Sequence, residues 1–246
     1  MTAPTRRERS KADTDREIRQ QARALLIERG SEAVTLRAIA RKVGITAPAL
    51  YRYYDSREDL IEHIRMDICT DLADELDVDL AGLPGSDVLG QVLAICRGFR
   101  RWAIAHPQEF SLVFASPAEP SARQDGELHI LVPGTDPFGR IFLSVAGRVL
   151  TTMTLAAPPA DSVPIELRTD LDTFRTSLLA TIADAGFQVS EEVLGVGVAY
   201  AILKFWVRLY GQIALEVFGR FPFAVAKPEP LFEALLADLI HQVGLS

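Results

Sequence analysis

The 246-residue chain is long enough for one small and one larger domain, and its two cysteines, Cys69 and Cys96, have no spacing that would staple a fold or hold zinc. Its net charge of −7 excludes a protein that coats nucleic acid indiscriminately, but the charge is uneven: residues 1–60 hold 13 Lys and Arg against 9 Asp and Glu, and the rest hold 13 against 24. The polar, charged first residues are no secretory signal, so a cytoplasmic protein is expected.

Residues 1–12 have almost nothing to bury and are expected to form a disordered tail, with four basic residues able to add phosphate contacts. Ile18, Ala22, Leu25 and Leu26 then share one face of a helix over about 13–29, which Gly30 ends. Val34 bridges to the next stretch, 35–54, around which the rest of the chain is organised. Thr35 is a candidate N-cap, and Leu36, Ile39, Ala40 and Val43 recur at helical spacing as one apolar face. Gly44 supplies a left-handed residue to end that helix. Thr46 caps a second helix whose first turn tolerates Pro48, because the missing N–H would have been unpaired anyway. Leu50 and Tyr54 give this helix a buried side and leave Ala47, Pro48, Tyr51, Arg52 and Tyr53 outward. Two short helices at a glycine turn, the second with an exposed basic and aromatic face, have the layout of a helix-turn-helix for the DNA major groove.

Ser56-Arg-Glu-Asp59 is a capping-box variant that opens a helix through Leu60, Ile61, Ile64 and Ile68, fading near Asp77. No linker precedes it, so this helix can itself transmit a rigid tilt. After a break at 77–86, helices are expected at about 87–105, 107–115, 137–154, 165–185, 190–219 and 229–243, separated by Gly- and Pro-rich punctuation. The stretch 116–136 is expected to be a mobile surface loop, and its apolar run 128–132 is too isolated to count as a strand. The predicted fold class is all-α, an N-terminal three-helix reader over 13–58 joined by a helix to a larger helical domain over 59–246.

The run Ala-Leu-Tyr-Arg-Tyr-Tyr-Asp-Ser-Arg-Glu-Asp-Leu at 49–60 resembles the TetR/AcrR family of bacterial one-component regulators. Tyr53, Tyr54 and Arg57 stand where that family usually has His, Phe and Lys, and each keeps the chemistry: a polar tip, a core aromatic and a phosphate-reaching cation. Trp102 to Pro117 and Trp206-Val-Arg-Leu-Tyr-Gly211 resemble, more weakly, the C-terminal domain type called WHG, with Tyr210 in place of its His. The resemblance implies a homodimer that binds double-stranded operator DNA and a small-molecule effector. Its palindromic half-sites would lie about one helical turn apart, roughly 34–36 Å. A repressor is the first reading; an activator, and a ligand-binding or scaffold protein without a transcriptional role, are the alternatives.

Resemblance and residue pattern assign the same DNA surface. Thr35 and Thr46 put hydroxyls and helix N-termini where a phosphate can sit, and Tyr51, Tyr53 and Arg57 reach for the backbone. Arg37 and Arg52 are the candidates for base edges, and Ala47 and Pro48 can approach thymine methyls. Arg41 and Lys42 read as surface charge.

Residues 190–219 are apolar on nearly every side, but Lys204, Arg208 and Gln212 in the middle argue against a membrane span. Burial against a second copy is expected instead, through Val198, Ile202, Leu209 and Ile213 here and Leu231, Leu235 and Leu239 in the last helix. For the effector, a hydrophobic or aromatic molecule, candidate lining residues are Phe99, Trp102, Phe110, Phe114, Phe142, Phe174 and Trp206, with Phe138 and Phe205 nearby in the pattern. No motif for a hydrolase, a zinc protease or a nucleotide-phosphate loop occurs, and the four histidines (63, 106, 129 and 241) are scattered. No enzyme activity, cofactor or metal is expected.

Overall fold

A computed structural model describes residues 6–115 and 137–245, so the expected loop at 116–136 and the first five residues of the expected tail lie outside the described residues. Every regular element among the described residues is helical. They are α1 (Arg6–Arg29), α2 (Leu36–Val43), α3 (Ala47–Leu50), α4 (Arg57–Ala81), α5 (Val88–Ala105), α6 (Pro107–Phe110), α7 (Pro137–Thr152), α8 (Arg168–Asp184), α9 (Val196–Val217) and α10 (Glu229–Gln242). Short 3-10 turns lie at Ser31–Ala33, Ala160–Ser162 and Ile165–Leu167, and a π turn, Ser111–Ala115, continues α6.

Several boundaries differ from expectation. Residues 6–12 are helical and not a disordered tail. Once Ile18, Ala22, Leu25 and Leu26 anchor α1 in the core, each further residue of good helix propensity extends the helix at little cost. The helix opened by Ser56 runs past Asp77 to Ala81. At the other end of the chain, 190–194 is a turn in which the Val193 and Leu194 N–H groups donate to the Ser190 carbonyl, so α9 begins only at Val196.

The chain divides into two compact units. The first takes in the residues up to Cys69 together with those from Gln108, and the second takes in Thr70–Pro107 and the described residues from Pro137 onward. The reader therefore does not end at 58. Leu60, Ile61, Ile64 and Ile68 of α4 are buried with Ile18, Leu25, Leu26, Ile39 and Leu50. The Arg23 guanidinium pairs with the buried Glu109 carboxylate, and Arg65 donates to the Leu112 carbonyl at 3.3 Å, which draws α6 and the π turn into this unit.

In the second unit, Leu143 and Leu150 of α7, Leu178 and Ile182 of α8, and Leu194 form one buried cluster. Val163, Leu171 and Ala199 form another. Two bidentate pairs hold α5 to α9 and α10: Arg100 with Glu216 at 2.9 and 2.6 Å, and Arg97 with Glu233 at 3.0 and 2.7 Å. Arg100 also lies over the Phe232 ring, 5.0 Å from its centroid. At the start of α9 the helix passes so close to the Pro158 carbonyl that a Cβ on Gly197 would overlap its oxygen. Gly197→Ala is therefore expected to cost about 1–3 kcal/mol by overpacking, read as a lowered melting temperature. An unchanged melting curve would mean that the Pro158 backbone yields freely.

No helix among the described residues is long and apolar enough to cross a membrane.

Candidate nucleic-acid interface

The two caps expected from the sequence both form. Thr35 Oγ1 accepts from the Ala38 N–H at 3.2 Å, and Thr46 Oγ1 accepts from the Ala49 N–H at 3.3 Å. Each satisfies one of the donors a helix start leaves open, and each hydroxyl lies at an exposed residue. Gly44 has φ 76°, and the Ile45 N–H returns to the Ala40 carbonyl at 3.0 Å. A side chain at 44 would strain this left-handed turn, and with it the crossing of α2 over α3. Behind the turn Ile39, Ala40 and Leu50 are buried, while Leu36 and Val43 are only half-buried.

Tyr54 is the pin of this unit. Its ring is 1 % exposed, its hydroxyl donates to Asp15 Oδ1 at 2.6 Å, and His63 meets its ring edge-on at 5.2 Å. Burial, with the Asp15 carboxylate beside it, pushes the Tyr54 phenol above its ordinary pKa, so it remains a hydrogen-bond donor. Ser56 Oγ accepts from the Asp59 N–H at 3.0 Å, as a capping box requires, but the Asp59 carboxylate reaches back to the Asp55 N–H at 3.0 Å.

The outward face holds most of the residues assigned to it. Thr35, Arg37, Thr46, Pro48 and Arg52 are exposed, Tyr51 is 56 % exposed, and Ala47 and Tyr53 are half-buried. Neither Arg37 nor Arg52 makes an ion pair with another described residue, so both guanidinium groups remain available to a ligand. Lys11, on the unforeseen extension of α1, holds its ammonium 6.0 Å above the Tyr53 ring and adds a cation to this face. The second helix is shorter than expected. It ends at Leu50, and Tyr51 to Tyr53 continue as turns, with the Arg52 N–H on the Ala49 carbonyl and the Tyr53 N–H on the Leu50 carbonyl.

Arg57 is placed differently from the others. Its Nε donates to the Val34 carbonyl at 2.8 Å and its second terminal nitrogen to the Ser31 carbonyl at 2.8 Å, while the first lies 3.6 Å from Glu58. The guanidinium is thus engaged with the backbone just before α2. It braces the start of α2 against the start of α4.

The second unit contains an apolar cavity of about 570 Å³, a volume that includes the part open to solvent. Its walls are Val92, Ile95 and Cys96 of α5, then Phe142, Val145, Ala146 and Val149 of α7. Leu155, Ile202 and Phe205, with Val243 and Leu245 after α10, complete them. Of the seven aromatic residues assigned to an effector, only Phe142 lines this cavity. Phe99 and Trp102 are fully buried core residues, and Trp206 stacks on Phe99 with ring centres 5.7 Å apart. Phe174 packs against the two buried clusters, and Phe110 and Phe114 meet as tilted rings, centres 5.3 Å apart, in the first unit. Large rings fill space and so mostly make core; apart from Phe142, Phe205 and Cys96 the walls fall to aliphatic side chains, whose inward direction no one-dimensional pattern distinguishes from ordinary packing. The Cys96 thiol is buried, and burial pushes its pKa up to about 12, so it remains a protonated, apolar wall.

The residues assigned to a dimer face also divide. Leu209, Ile213 and Leu239 are buried in the subunit's own core, and Val198 and Ile202 pack on the α7–α8 cluster. Leu231 is 46 % exposed, Leu235 is half-buried, and the large apolar side chains that face outward on α9 and just after it are Val207, Leu215 and Phe218. An all-round apolar helix leaves its outer face ambiguous until its neighbours are known.

A capped pair of short helices about a left-handed glycine, with arginines and a tyrosine exposed on the outer side, defines a helix-turn-helix DNA-binding protein. Residues 18–64 match the family model described as bacterial regulatory proteins, tetR family, and residues 92–239 match the tetracyclin repressor-like C-terminal domain. The chain belongs to the TetR family of transcriptional regulators. It is similar to the HTH-type transcriptional regulator Rv1816 of Mycobacterium tuberculosis, 28 % identical over 203 residues, 81 % of this chain and 78 % of that one. The HTH-type transcriptional regulator Mb1846 of Mycobacterium bovis shows the same identity over the same share of each chain. The crystal structure of a regulatory protein, SCO4313, superposes with a TM-score of 0.63 at 26 % identity, covering 96 % of this chain and all of that one.

Proposed function

We propose that this regulator is a homodimeric repressor that reads a palindromic operator and is released from it by a small hydrophobic effector. The observation that carries the DNA half of the reading is the pair of guanidinium groups of Arg37 and Arg52, which pair with no other described residue, beside two exposed threonine caps and Tyr51. Phosphate contacts by the caps, Tyr51, Tyr53 and Lys11 would hold the register, and the two arginines would read base edges. The dimer reading is supported by the outward apolar set Val207, Leu215, Phe218, Leu231 and Leu235 on the last two helices, which two-fold symmetry would bury against its own copy. Release would be a population shift in the spacing of the two readers, carried by α4.

The test is fluorescence anisotropy with labelled DNA from upstream of the chain's own gene, with the assembly state measured by light scattering. Saturable, salt-sensitive binding by a dimer, abolished by competitor of the same sequence only, is expected. Binding that random DNA competes away equally, or a monomer with no affinity for DNA, would favour a ligand-binding protein of this fold instead. Raised transcription from the same promoter on binding would make it an activator.

A further inference from the structure

We infer that Lys11 and Tyr53 clasp one and the same backbone phosphate of the bound DNA, Lys11 through its ammonium and Tyr53 through its phenol hydroxyl. The clasp rests on the reading of the first unit as a DNA binder, and it makes α1 a second limb of the grip beside α2 and α3.

α1 meets the turn after α3 in two rungs. At the inner rung Asp15 accepts from the Tyr54 hydroxyl at 2.6 Å, and the Tyr54 ring is buried. Four residues earlier on the same line of the helix, Lys11 holds its ammonium 6.0 Å from the centre of the Tyr53 ring. Here Tyr53 is half-buried and Lys11 is exposed, so the line of contact leads from a core tyrosine out to one on the outward face. The inner rung steadies the outer one. With Tyr54 pinned on one side and the Tyr53 N–H on the Leu50 carbonyl at 2.9 Å, the backbone that carries the Tyr53 ring is held in place.

The nearby acids leave Lys11 to a ligand. An aspartate four residues on is the partner a helical lysine would ordinarily take, but Asp15 is bonded to Tyr54 and lies 3.2 Å from Arg19. Asp13 pairs with Arg16 at 3.3 Å. Lys11 pairs with no described carboxylate. At 6.0 Å the ring stands at the outer limit of a cation–π contact, so it orients the ammonium and leaves its N–H donors to a stronger acceptor. A phosphate diester is such an acceptor. It carries one charge over two unesterified oxygens, so one oxygen can take the ammonium and the other the phenol O–H. Tyr53 stands where the TetR family usually has His, and Lys11 precedes the stretch 18–64 that the family model matches, so neither half of the clasp follows from membership of the family.

The experiment titrates the full chain by anisotropy over a series of salt concentrations, on duplex DNA from upstream of its own gene and on a duplex of random sequence in the low-salt range. The random duplex serves because a phosphate contact carries no sequence information. Lys11→Gln is expected to weaken binding to both duplexes by a similar factor and to lower the slope of log affinity against log salt by about 0.9. Tyr53→Phe keeps the ring that orients Lys11, and is expected to weaken binding with the slope unchanged. The double variant should lose less than the product of the two single losses, because two groups on one phosphate do not act independently. Lys11→Arg should restore the slope. An unchanged slope with a lowered melting temperature for Lys11→Gln would make the lysine a prop for the Tyr53 ring and overturn the clasp. No loss with Tyr53→Phe, or losses that multiply, would overturn it as well. If the variants behave as expected on the random duplex while upstream DNA is bound no better than random, the clasp stands and the operator reading fails. No binding to either duplex would remove both.

Discussion

Arg52→Ala is expected to weaken operator binding by about 10- to 100-fold, the equivalent of one lost bidentate contact to guanine at about 1–3 kcal/mol. The loss should fall on one base-pair position per half-site, so a panel of operators varied at that position should lose its ranking with the variant. Folding should be untouched, because Arg52 is exposed and pairs with no described residue. Equal weakening on every sequence, with a shallower dependence on salt, would instead assign Arg52 to the phosphate backbone. The same pair of measurements on Arg37→Ala separates the two arginines, since Arg37 leaves from the first turn of α2 and Arg52 from the turn after α3.

Arg57→Ala is expected to act through the fold of the reader. It removes two charge-assisted bonds to main-chain carbonyls, those of Val34 and Ser31, and should cost about 2–3 kcal/mol of stability, less whatever water recovers at its partly exposed edge. Operator affinity should fall with it, because the start of α2, and so the Thr35 cap, loses its brace. The discriminating readout is salt. A phosphate contact, the role the sequence resemblance implies, predicts that the slope of log affinity against log salt falls by about one with little change in melting temperature. A bracing role predicts a lowered melting temperature and an unchanged slope. Arg57→Lys separates the two further: a lysine could still reach phosphate, but it has no planar fork to span two carbonyls at once.

These two arginines show where reading the chain one residue at a time succeeds. Arg52 was placed outward by its spacing from Leu50 and Tyr54, which are buried, and helical periodicity is a local rule. Arg57 has an equally plain local setting, the first turn of a helix, yet its partners lie 23 and 26 residues earlier. Only the packing of α4 beside the 3-10 turn brings those carbonyls within reach. The pair Arg23 and Glu109, separated by 86 residues, was invisible for the same reason, and with it the membership of α6 in the reader.

The second unit repeats the lesson with apolar residues. Punctuation by proline and glycine marked its helices to within a few residues, because a missing N–H or an unhindered φ acts where it stands. Which side chains line a cavity, and which outer face awaits a partner, depends on what other helices leave uncovered. The expected aromatic lining and the expected dimer residues Leu209, Ile213 and Leu239 were mostly claimed by the subunit's own core. Leu245, which lines the cavity, carries no local sign of that role.

By itself, then, the sequence determined the helical class, the capped turn about Gly44 and the outward set that includes Arg37, Tyr51 and Arg52, since each follows from spacing and backbone chemistry within a few residues. The tertiary structure alone decided that Arg57 braces the fold, that α6 belongs with the reader, and that the cavity wall is mainly aliphatic and includes Leu245. These depend on contacts between distant segments, which form only when the whole chain finds the arrangement that buries its apolar surface and pairs its polar groups.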